Sequence, residues 1–255
     1  MLIKTVNYNR LFYFCTMMIA KIKKPLVLSV LFFLPVLFLL FLYPSKHNYT
    51  TLDIVKSNIP ELTNFQAEDG TKIRLENHLT VLGFLGQNPM DDATRALNLK
   101  ELVYDKFRGF KRFQIIILLP ETAKQQAQEL KKELNSFEPL EYWTFAFGSD
   151  DDIKETYTNL RISEALRPDL ASNDVFIIDK EKHQRGRLDD RTKAQKEENF
   201  PIYSMSSYNV LEVAELKNKM SEDMRILFTE YRQKRKGNFS STTRRAEDLL
   251  NNEIN

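Results

Sequence analysis

The chain has 255 residues, of which 42% are hydrophobic and 28% are charged, a balance typical of one globular domain with accessory segments. Seven glycines exclude a collagen-like architecture, and a single cysteine excludes an intramolecular disulfide. The net charge is +2, but residues 1–46 carry +6 and residues 232–255 carry +3, so residues 47–231 carry −7. A globular part with this balance is a poor candidate for nucleic-acid binding, which requires a basic face.

An uncharged apolar stretch, PLVLSVLFFLPVLFLLFLY, occupies residues 25–43. As a helix with a rise of about 1.5 Å per residue it reaches roughly 28 Å, the thickness of the hydrocarbon core of a bilayer. Lys21, Lys23 and Lys24 precede it, and the charges that follow are mixed. We therefore predict a single transmembrane helix that contacts membrane lipid, with the basic leader 1–24 in the cytosol and the remaining chain in the periplasm.

A cleavable signal peptide is the competing interpretation of the same stretch. Its apolar region is longer than usual for such a peptide, and no A-x-A-like site follows it, so a retained anchor is favoured. Cys15 precedes the stretch and has no partner in the outer part of the chain. Met17 and Met18 are alternative starts, and either would remove Cys15 altogether.

Residues 44–60 are polar and bounded by prolines, which predicts a tether. Residues 62–73 contain Asp69-Gly70 and predict a short hairpin. Residues 79–85, LTVLGFL, predict a central strand buried on both faces. Gln87-Asn88-Pro89 breaks this strand, and an apolar stripe at helical spacing predicts a helix over 91–108.

The same alternation continues along the chain. Strands are predicted at 113–119, 142–147 and 174–179, and helices at 120–137 and from Gly148 to about Arg167. A polar excursion follows residue 179, and a long amphipathic helix is predicted over 210–233. The polar tail 234–255 is predicted to be disordered. Strands that alternate with helices indicate a three-layer α/β domain over residues 61–233.

The order of these elements resembles the thioredoxin-like superfamily and, within it, the Sco/SenC family of membrane-anchored copper chaperones. The resemblance rests on the N-terminal anchor followed by a hairpin, on the corner VLGFLGQNPMDD, on RPDLASNDVFIIDKEKHQRGRLDD, and on the closing helix ELKNKMSEDMRILFTEYR. It covers roughly residues 52–232 and implies a thioredoxin-like fold. It concerns the order of elements rather than signature residues.

The chain departs from this family where the chemistry lies. The resemblance places the family's two cysteines within Gln87, Asn88, Pro89, Met90, Asp91 and Asp92, and its histidine near residues 170–173; neither residue type occurs there. Thiolate ligands suit Cu(I), and disulfide exchange needs a thiolate nucleophile. We therefore expect a degenerate active-site loop at 87–92, with no catalytic residue and no cofactor.

Other residues offer weak candidates for a metal site. Met90 lies in the degenerate loop, His183 follows the late strand, and His78 and Met205 are more distant alternatives. The plainer interpretation has Met90 packed at the corner, His183 in an exposed turn and His78 bonded to a backbone group. A copper chaperone with non-standard ligands is therefore the alternative function.

Two acidic clusters have structural explanations. Asp150-Asp151-Asp152 is typical of a helix N-terminus, although carboxylates also bind hard cations. Asp189-Asp190-Arg191 indicates a solvated turn with local ion pairs or a patch that binds a partner. The sequence contains no phosphate loop and no hydrolase motif. The favoured hypothesis is a non-catalytic, membrane-anchored assembly module whose partner is a membrane protein, with a respiratory oxidase as the guess by analogy.

Overall fold

A computed structural model describes residues 25, 27–41, 51–135 and 139–235. The chain divides into two compact units, residues 1–49 and residues 50–255. In the first, residues 27–41 form helix α1. Among the described residues, no helix combines the length and apolar character needed to cross a membrane. The leader 1–24, Cys15, Tyr43 and the tail beyond residue 235 lie outside the described residues.

The second unit contains one mixed sheet in the order β1-β7-β6-β3-β4-β5-β2, and β8 pairs with β6. Its strands are β1 Asp53–Lys56, β2 Gln66–Ala67, β3 Leu79–Phe84, β4 Phe113–Pro120, β5 Trp143–Gly148, β6 Asp174–Ile178, β7 Gln184–Gly186 and β8 Tyr208–Asn209. Strands β3, β4 and β5 are parallel, whereas β6 runs antiparallel to β3. This is a thioredoxin-like arrangement, as the sequence predicted.

The helices connect and cover these strands. They are α2 Ala93–Leu99, α3 Asp105–Phe107, α4 Lys124–Leu134, α5 Asp150–Thr158, α6 Lys193–Glu197 and α7 Ser221–Arg235. A π-helical stretch, Lys100–Tyr104, joins α2 to α3, and another, Glu215–Met220, leads into α7. The predicted closing helix therefore begins later than residue 210. It continues through Lys234 and Arg235, which the sequence had placed in the disordered tail.

Alternate side chains of the central strands enter two separate cores. Ile115, Ile117 and Leu119 of β4 join a core shared with α2, α4 and α7. Ile116 and Leu118 face the opposite core, shared with α5 and residues 59–75. This alternation follows from the period of two in a strand and explains why β3 and β4 read as continuous apolar runs. The three-layer prediction is confirmed.

The predicted hairpin at 62–73 does not form. Gly70 adopts a positive φ of 75° and its N–H donates to the Ala67 carbonyl, so the Asp-Gly turn exists. However, Ala67 pairs with Ala146 of β5, because this edge of the sheet is open to it. After the turn, the N–H groups of Leu75 and Glu76 donate to the carboxylate of Glu61 instead of to a partner strand.

Two further predictions need correction. Asp53–Lys56, inside the predicted tether 44–60, forms β1 and pairs antiparallel with β7. Helix α5 ends at Thr158, well before Arg167. The buried amide of Gln184 accepts from the N–H of Arg161 at 2.7 Å and donates to its carbonyl at 2.9 Å. These bonds hold the chain in a non-helical course, because they take the backbone groups of Arg161 that a continuing helix would use.

Candidate functional site: the corner after β3

The predicted active-site loop lies at the C-terminal end of β3, between that strand and α2. The segment that precedes β6 is bonded to it. Ser172 N–H donates to the Phe84 carbonyl at 3.0 Å, and Gln87 N–H donates to the Asp169 carbonyl at 2.9 Å. Leu85 and Ala171 form an isolated antiparallel bridge. The structure thus brings together the two places at which the resemblance located the family's cysteines and histidine.

Gly86 allows this close approach. Its φ is +70°, and a Cβ at this position would lie 2.4 Å from the Asp169 carbonyl oxygen and 2.8 Å from the Ala171 Cβ. Leu170, on the opposing segment, also has a positive φ, of 66°. Any L-residue other than glycine at position 86 would be strained and would push the two segments apart. The corner is therefore a tightly fixed junction.

The loop itself presents a mixed surface. Gln87, Asn88 and Asp91 are exposed, Pro89 is buried, and Met90 is half-buried against the core shared with α2. The Asn88 side-chain oxygen accepts from the Gln126 amide of α4 at 3.3 Å. Met90 therefore packs at the corner, as its plainer interpretation required. The exposed groups are two amides and one carboxylate.

A charged cluster occupies the base of the loop. Asp92, the residue before α2, is 8% exposed and forms an ion pair with Arg95, which is also 8% exposed. Arg167 lies 3.8 Å from the Asp92 carboxylate and forms a second ion pair with Asp169. Two guanidiniums and two carboxylates thus balance in charge. The sequence did not reveal this cluster, because its members are 75 residues apart and meet only through the fold.

Burial sets the electrostatics of the cluster. It raises the pKa of Asp92, and the nearby positive charges of Arg95 and Arg167 oppose that rise. Burial also lowers the pKa of Arg95, against the favourable charge of Asp92. The opposite charges of the cluster therefore partly offset the cost of burying each of them. Asp92 is the N-cap residue of α2, but its side chain makes no capping hydrogen bond and pairs with Arg95 instead.

The weak metal candidates are far apart. Met90 follows the C-terminal end of β3. His183 follows β6, and β6 runs antiparallel to β3. The end of β6 therefore lies beside the start of β3, with Ile178 opposite Thr80. The two residues therefore lie near opposite ends of β3, a strand of six residues that spans roughly 17 Å. Within the described part of the chain, no group of three or more His, Cys, Asp or Glu side chains is arranged to hold a metal ion.

The histidines have ordinary structural partners. His183 Nδ1 lies 3.3 Å from the Asn58 backbone N–H, which donates to it. His78 Nδ1 lies 3.0 Å from the Glu76 carbonyl oxygen, as expected for a histidine that satisfies a backbone group. Met205 is 8% exposed and belongs to the core. None of these three residues faces the corner loop through a contact that the structure describes.

The acidic clusters are structural. Ser149 is the N-cap of α5 and exchanges hydrogen bonds with Asp152 in a capping box, with Asp150 and Asp151 in the same first turn. Asp189 binds Arg191 through both carboxylate oxygens, at 2.9 and 3.0 Å. Asp190 pairs with Arg187 at 3.1 Å and also with Lys219. The local ion pairs expected for 189–191 are present.

Comparison with known proteins gives similarity at the level of structure. No family model matches the sequence, and no curated protein matches it at the required significance. BsSco, described as a member of the Sco family of cytochrome c oxidase assembly proteins, is 16% identical, with a TM-score of 0.47 over 70% of this chain and 98% of that chain. ScoI of Arabidopsis thaliana, solved with copper bound, is 15% identical, with a TM-score of 0.40 over 66% and 99% of the two chains.

A thioredoxin domain of a thiol-disulfide oxidoreductase from Bacteroides vulgatus is also similar, at 14% identity and a TM-score of 0.37 over 52% of this chain and 86% of that chain. Sco and thioredoxin-like proteins, the group that the sequence resembles, are thus among the solved structures similar to this chain. At these identities the likeness does not extend to activity.

Proposed function

We propose that this protein is a non-catalytic, membrane-anchored, thioredoxin-like module that faces the periplasm and binds a membrane protein during its assembly. The observation that carries the proposal is the corner loop, which is held by the segment before β6 and has no thiol. A thioredoxin-like domain without a thiolate cannot exchange disulfides. Its corner can still make contacts.

The corner suits recognition because it is ordered before a partner binds. Gln87, Asn88 and Asp91 expose polar groups on a loop whose neighbours are fixed by backbone hydrogen bonds. A surface that is ordered before binding loses little conformational entropy when a partner docks. Amide and carboxylate groups supply directional hydrogen bonds, so the loop is expected to add specificity more than affinity.

The partner and the location follow from the sequence. The lysines at 21, 23 and 24 and the apolar stretch 25–43 support an inner-membrane anchor with the domain outside the cytosol. The resemblance to copper chaperones that serve terminal oxidases makes a respiratory oxidase the expected complex. A fusion of alkaline phosphatase to the C-terminus should be active in cells, and an inactive fusion with normal expression would contradict this orientation.

Site-specific crosslinking tests the binding function. A photo-reactive residue is placed at Gln87 or Asp91 of the full-length protein, and the matched control is placed at Glu76, which is exposed just before β3, at the other end of that strand. After irradiation in cells, membrane subunits of an oxidase should be crosslinked from the first two positions and not from Glu76. Equal capture from all three positions, or none from well-expressed protein, would overturn the proposal.

A further inference from the structure

A cationic pocket lies at the end of the sheet opposite the corner. It has a volume of about 520 Å³ and is formed by the loop after α3, the residue Lys180 after β6, and the last two turns of α7. Five cationic side chains line it: Lys111, Lys180, Arg232, Lys234 and Arg235. Among the described residues that line the pocket there is no Asp or Glu. We call it the basic pocket.

Aromatic rings form one wall of the basic pocket. Phe110 stacks on Phe228, with ring centroids 4.0 Å apart and an angle of 18° between the ring planes. The Tyr231 hydroxyl accepts a hydrogen bond from the Lys180 backbone N–H at 3.1 Å. The Lys180 ammonium lies 4.3 Å from the centre of the Tyr231 ring. These contacts fix the wall and one of the cations in place, so the pocket is preformed.

Carboxylates near the basic pocket are paired with Arg185, which lies outside it, and with Lys234, which is one of its own cations. Glu230 is fully buried and pairs with Arg185 at 3.0 Å, and Asp179 pairs with the same guanidinium at 2.9 Å. Lys234 lies 3.4 Å from both Glu181 and Glu230. Within the described residues, no carboxylate lies within 4 Å of Lys111, Lys180 or Arg232. The pocket therefore has an excess of positive charge.

This excess affects the ionisation of Lys180. Burial lowers its pKa, the charges of Arg112, Arg235 and Lys234 lower it further, and the nearby carboxylate of Glu181 opposes this decrease. Like charges held together in a half-buried pocket raise the free energy of the folded protein unless an anion neutralises them. The surrounding residues 47–231 carry a net charge of −7, so the pocket is a local exception in an acidic domain.

We propose that the basic pocket binds the phosphoester group of a small molecule or of an anionic phospholipid. Lysine and arginine are the side chains that bind phosphate, through charge and multiple N–H donors. A volume of 520 Å³ suits a small ligand or a single headgroup. The acidic remainder of the domain disfavours a long polyanion such as a nucleic acid. The aromatic wall would contact the apolar portion of the ligand.

Calorimetric titration of the full-length protein in uncharged detergent micelles tests this site. Inorganic pyrophosphate is the free-phosphate probe, dihexanoyl phosphatidylglycerol is the lipid probe, and dihexanoyl phosphatidylcholine is the lipid control with no net charge. We expect saturable binding of one or both anionic probes at physiological ionic strength. The double variant Lys111→Gln/Lys180→Gln should weaken that binding by roughly tenfold or more.

The control changes the net charge equally at a distance. Lys132→Gln/Lys193→Gln removes two exposed positive charges, from α4 and α6, outside the pocket, and should bind as the wild type does. Arg232→Gln is a second, exposed pocket variant that keeps the test valid if the Lys180 variant unfolds. Binding of pyrophosphate would assign the phosphate group of a soluble small molecule, and binding of phosphatidylglycerol alone would assign a lipid headgroup. Absence of binding by both, or equal weakening in the control, would overturn the proposal.

Discussion

Arg185 carries a positive charge at a position without access to water. Its guanidinium donates to Asp179 at 2.9 Å, to Glu230 at 3.0 Å and to the Leu52 carbonyl at 2.5 Å. Burial disfavours the charged form, but the carboxylates of Glu230 and Asp179 outweigh it and raise the pKa of Arg185. This buried triad joins the end of β6, strand β7, helix α7 and the residue before β1. It is a structural junction, in which one guanidinium holds two carboxylates and Lys234 lies 3.4 Å from the second of them, Glu230.

Arg185→Met should be strongly destabilising. The substitution leaves the buried carboxylate of Asp179 without its cation and Glu230 with Lys234 at 3.4 Å, and breaking a buried ion pair in this way typically costs about 3–5 kcal/mol. The free energy of unfolding, measured by urea titration with circular dichroism, should fall by that amount. The triple variant Arg185→Met/Asp179→Asn/Glu230→Gln should recover much of the loss, because it removes the unpaired charges as well. Arg191→Met, which breaks the more exposed pair with Asp189, is the matched control and should cost much less.

For Asp174, unlike Arg185, the effect of burial on the pKa outweighs that of the neighbouring groups, so burial disfavours its charged form. Its carboxylate accepts one hydrogen bond, from the Ser207 hydroxyl at 2.8 Å, and burial raises its pKa above 3.8. In the window between 3.8 and the folded pKa, the folded state therefore holds more protons than the unfolded state. Stability consequently falls as pH rises through this window. The loss is complete above the folded pKa.

Asp174→Asn should remove this pH dependence. Relative to the wild type, the variant should gain stability as pH rises from 3.8 to the folded pKa of Asp174, since its amide is neutral throughout and can accept the same hydrogen bond. Urea unfolding at several pH values measures the difference. Asp189→Asn is the control: hydrogen bonds from Arg191 lower the pKa of Asp189, so its contribution is lost only below 3.8. A constant difference between Asp174→Asn and the wild type over this range would contradict the prediction.

Among the elements, the junction between the corner and the segment before β6 depends on one glycine. The bridge Leu85–Ala171 and the bond from Gln87 to Asp169 both require the backbone at Gly86 to pass very close to the opposing chain. The sequence predicted the strand, the break and the helix around this corner. It did not predict the partner segment, since that contact joins residues about 85 positions apart.

Gly86→Ala should therefore loosen the corner. The added Cβ meets the Asp169 carbonyl at 2.4 Å, and the positive φ of 70° is unfavourable for alanine. We expect a loss of unfolding free energy on the order of 1–3 kcal/mol or more, together with faster amide hydrogen exchange at Gln87. Gly109→Ala is the matched control, because its added Cβ meets nothing within 4 Å. Equal stability of the two variants would show that the junction is not constrained as described.

Local pattern predicted the elements that a single segment determines. The apolar runs of β3 and β4 and the stripe of α4 were identified because periodicity and burial coincide there. The failures arose where a distant group decides the local course. Gln184 ends the helical course near Arg161, and β5 takes Ala67 from the predicted hairpin. Such contacts join residues that are far apart in the sequence, so the pattern of the neighbouring residues does not predict them.

At the scale of the molecule, the features of the candidate site that depend on one segment were predicted from the sequence, and those that depend on contacts between distant segments were not. The absence of thiols from residues 87–92 is a property of the sequence, and it limits the chemistry at once. The charged base of the loop assembles residues from two distant segments, and the basic pocket assembles residues from three. Their charged residues are dispersed along the sequence, and they form clusters only because the fold brings these segments together.

The arrangement of the whole sheet also predicts the outcome of a copper assay. Met90 and His183 lie near opposite ends of β3, so they cannot bind one ion together, and a single thioether or imidazole binds Cu(I) weakly. The full-length chain with Cys15→Ser, which removes the only thiol, should fail to withdraw Cu(I) from a weak colorimetric indicator at equal concentration. The additional changes Met90→Ala and His183→Ala should leave the titration unchanged.

The comparison of these variants separates a built site from incidental binding. If the Cys15→Ser protein competes for Cu(I) and either Met90→Ala or His183→Ala abolishes the competition, a copper site exists and the non-catalytic module is the wrong proposal. If competition persists in both variants, the ligands lie elsewhere, and the methionines of the leader, Met1, Met17 and Met18, are the next to change. A protein that competes in none of these forms has no copper site at Met90 or His183, which is the outcome that the proposed non-catalytic module predicts.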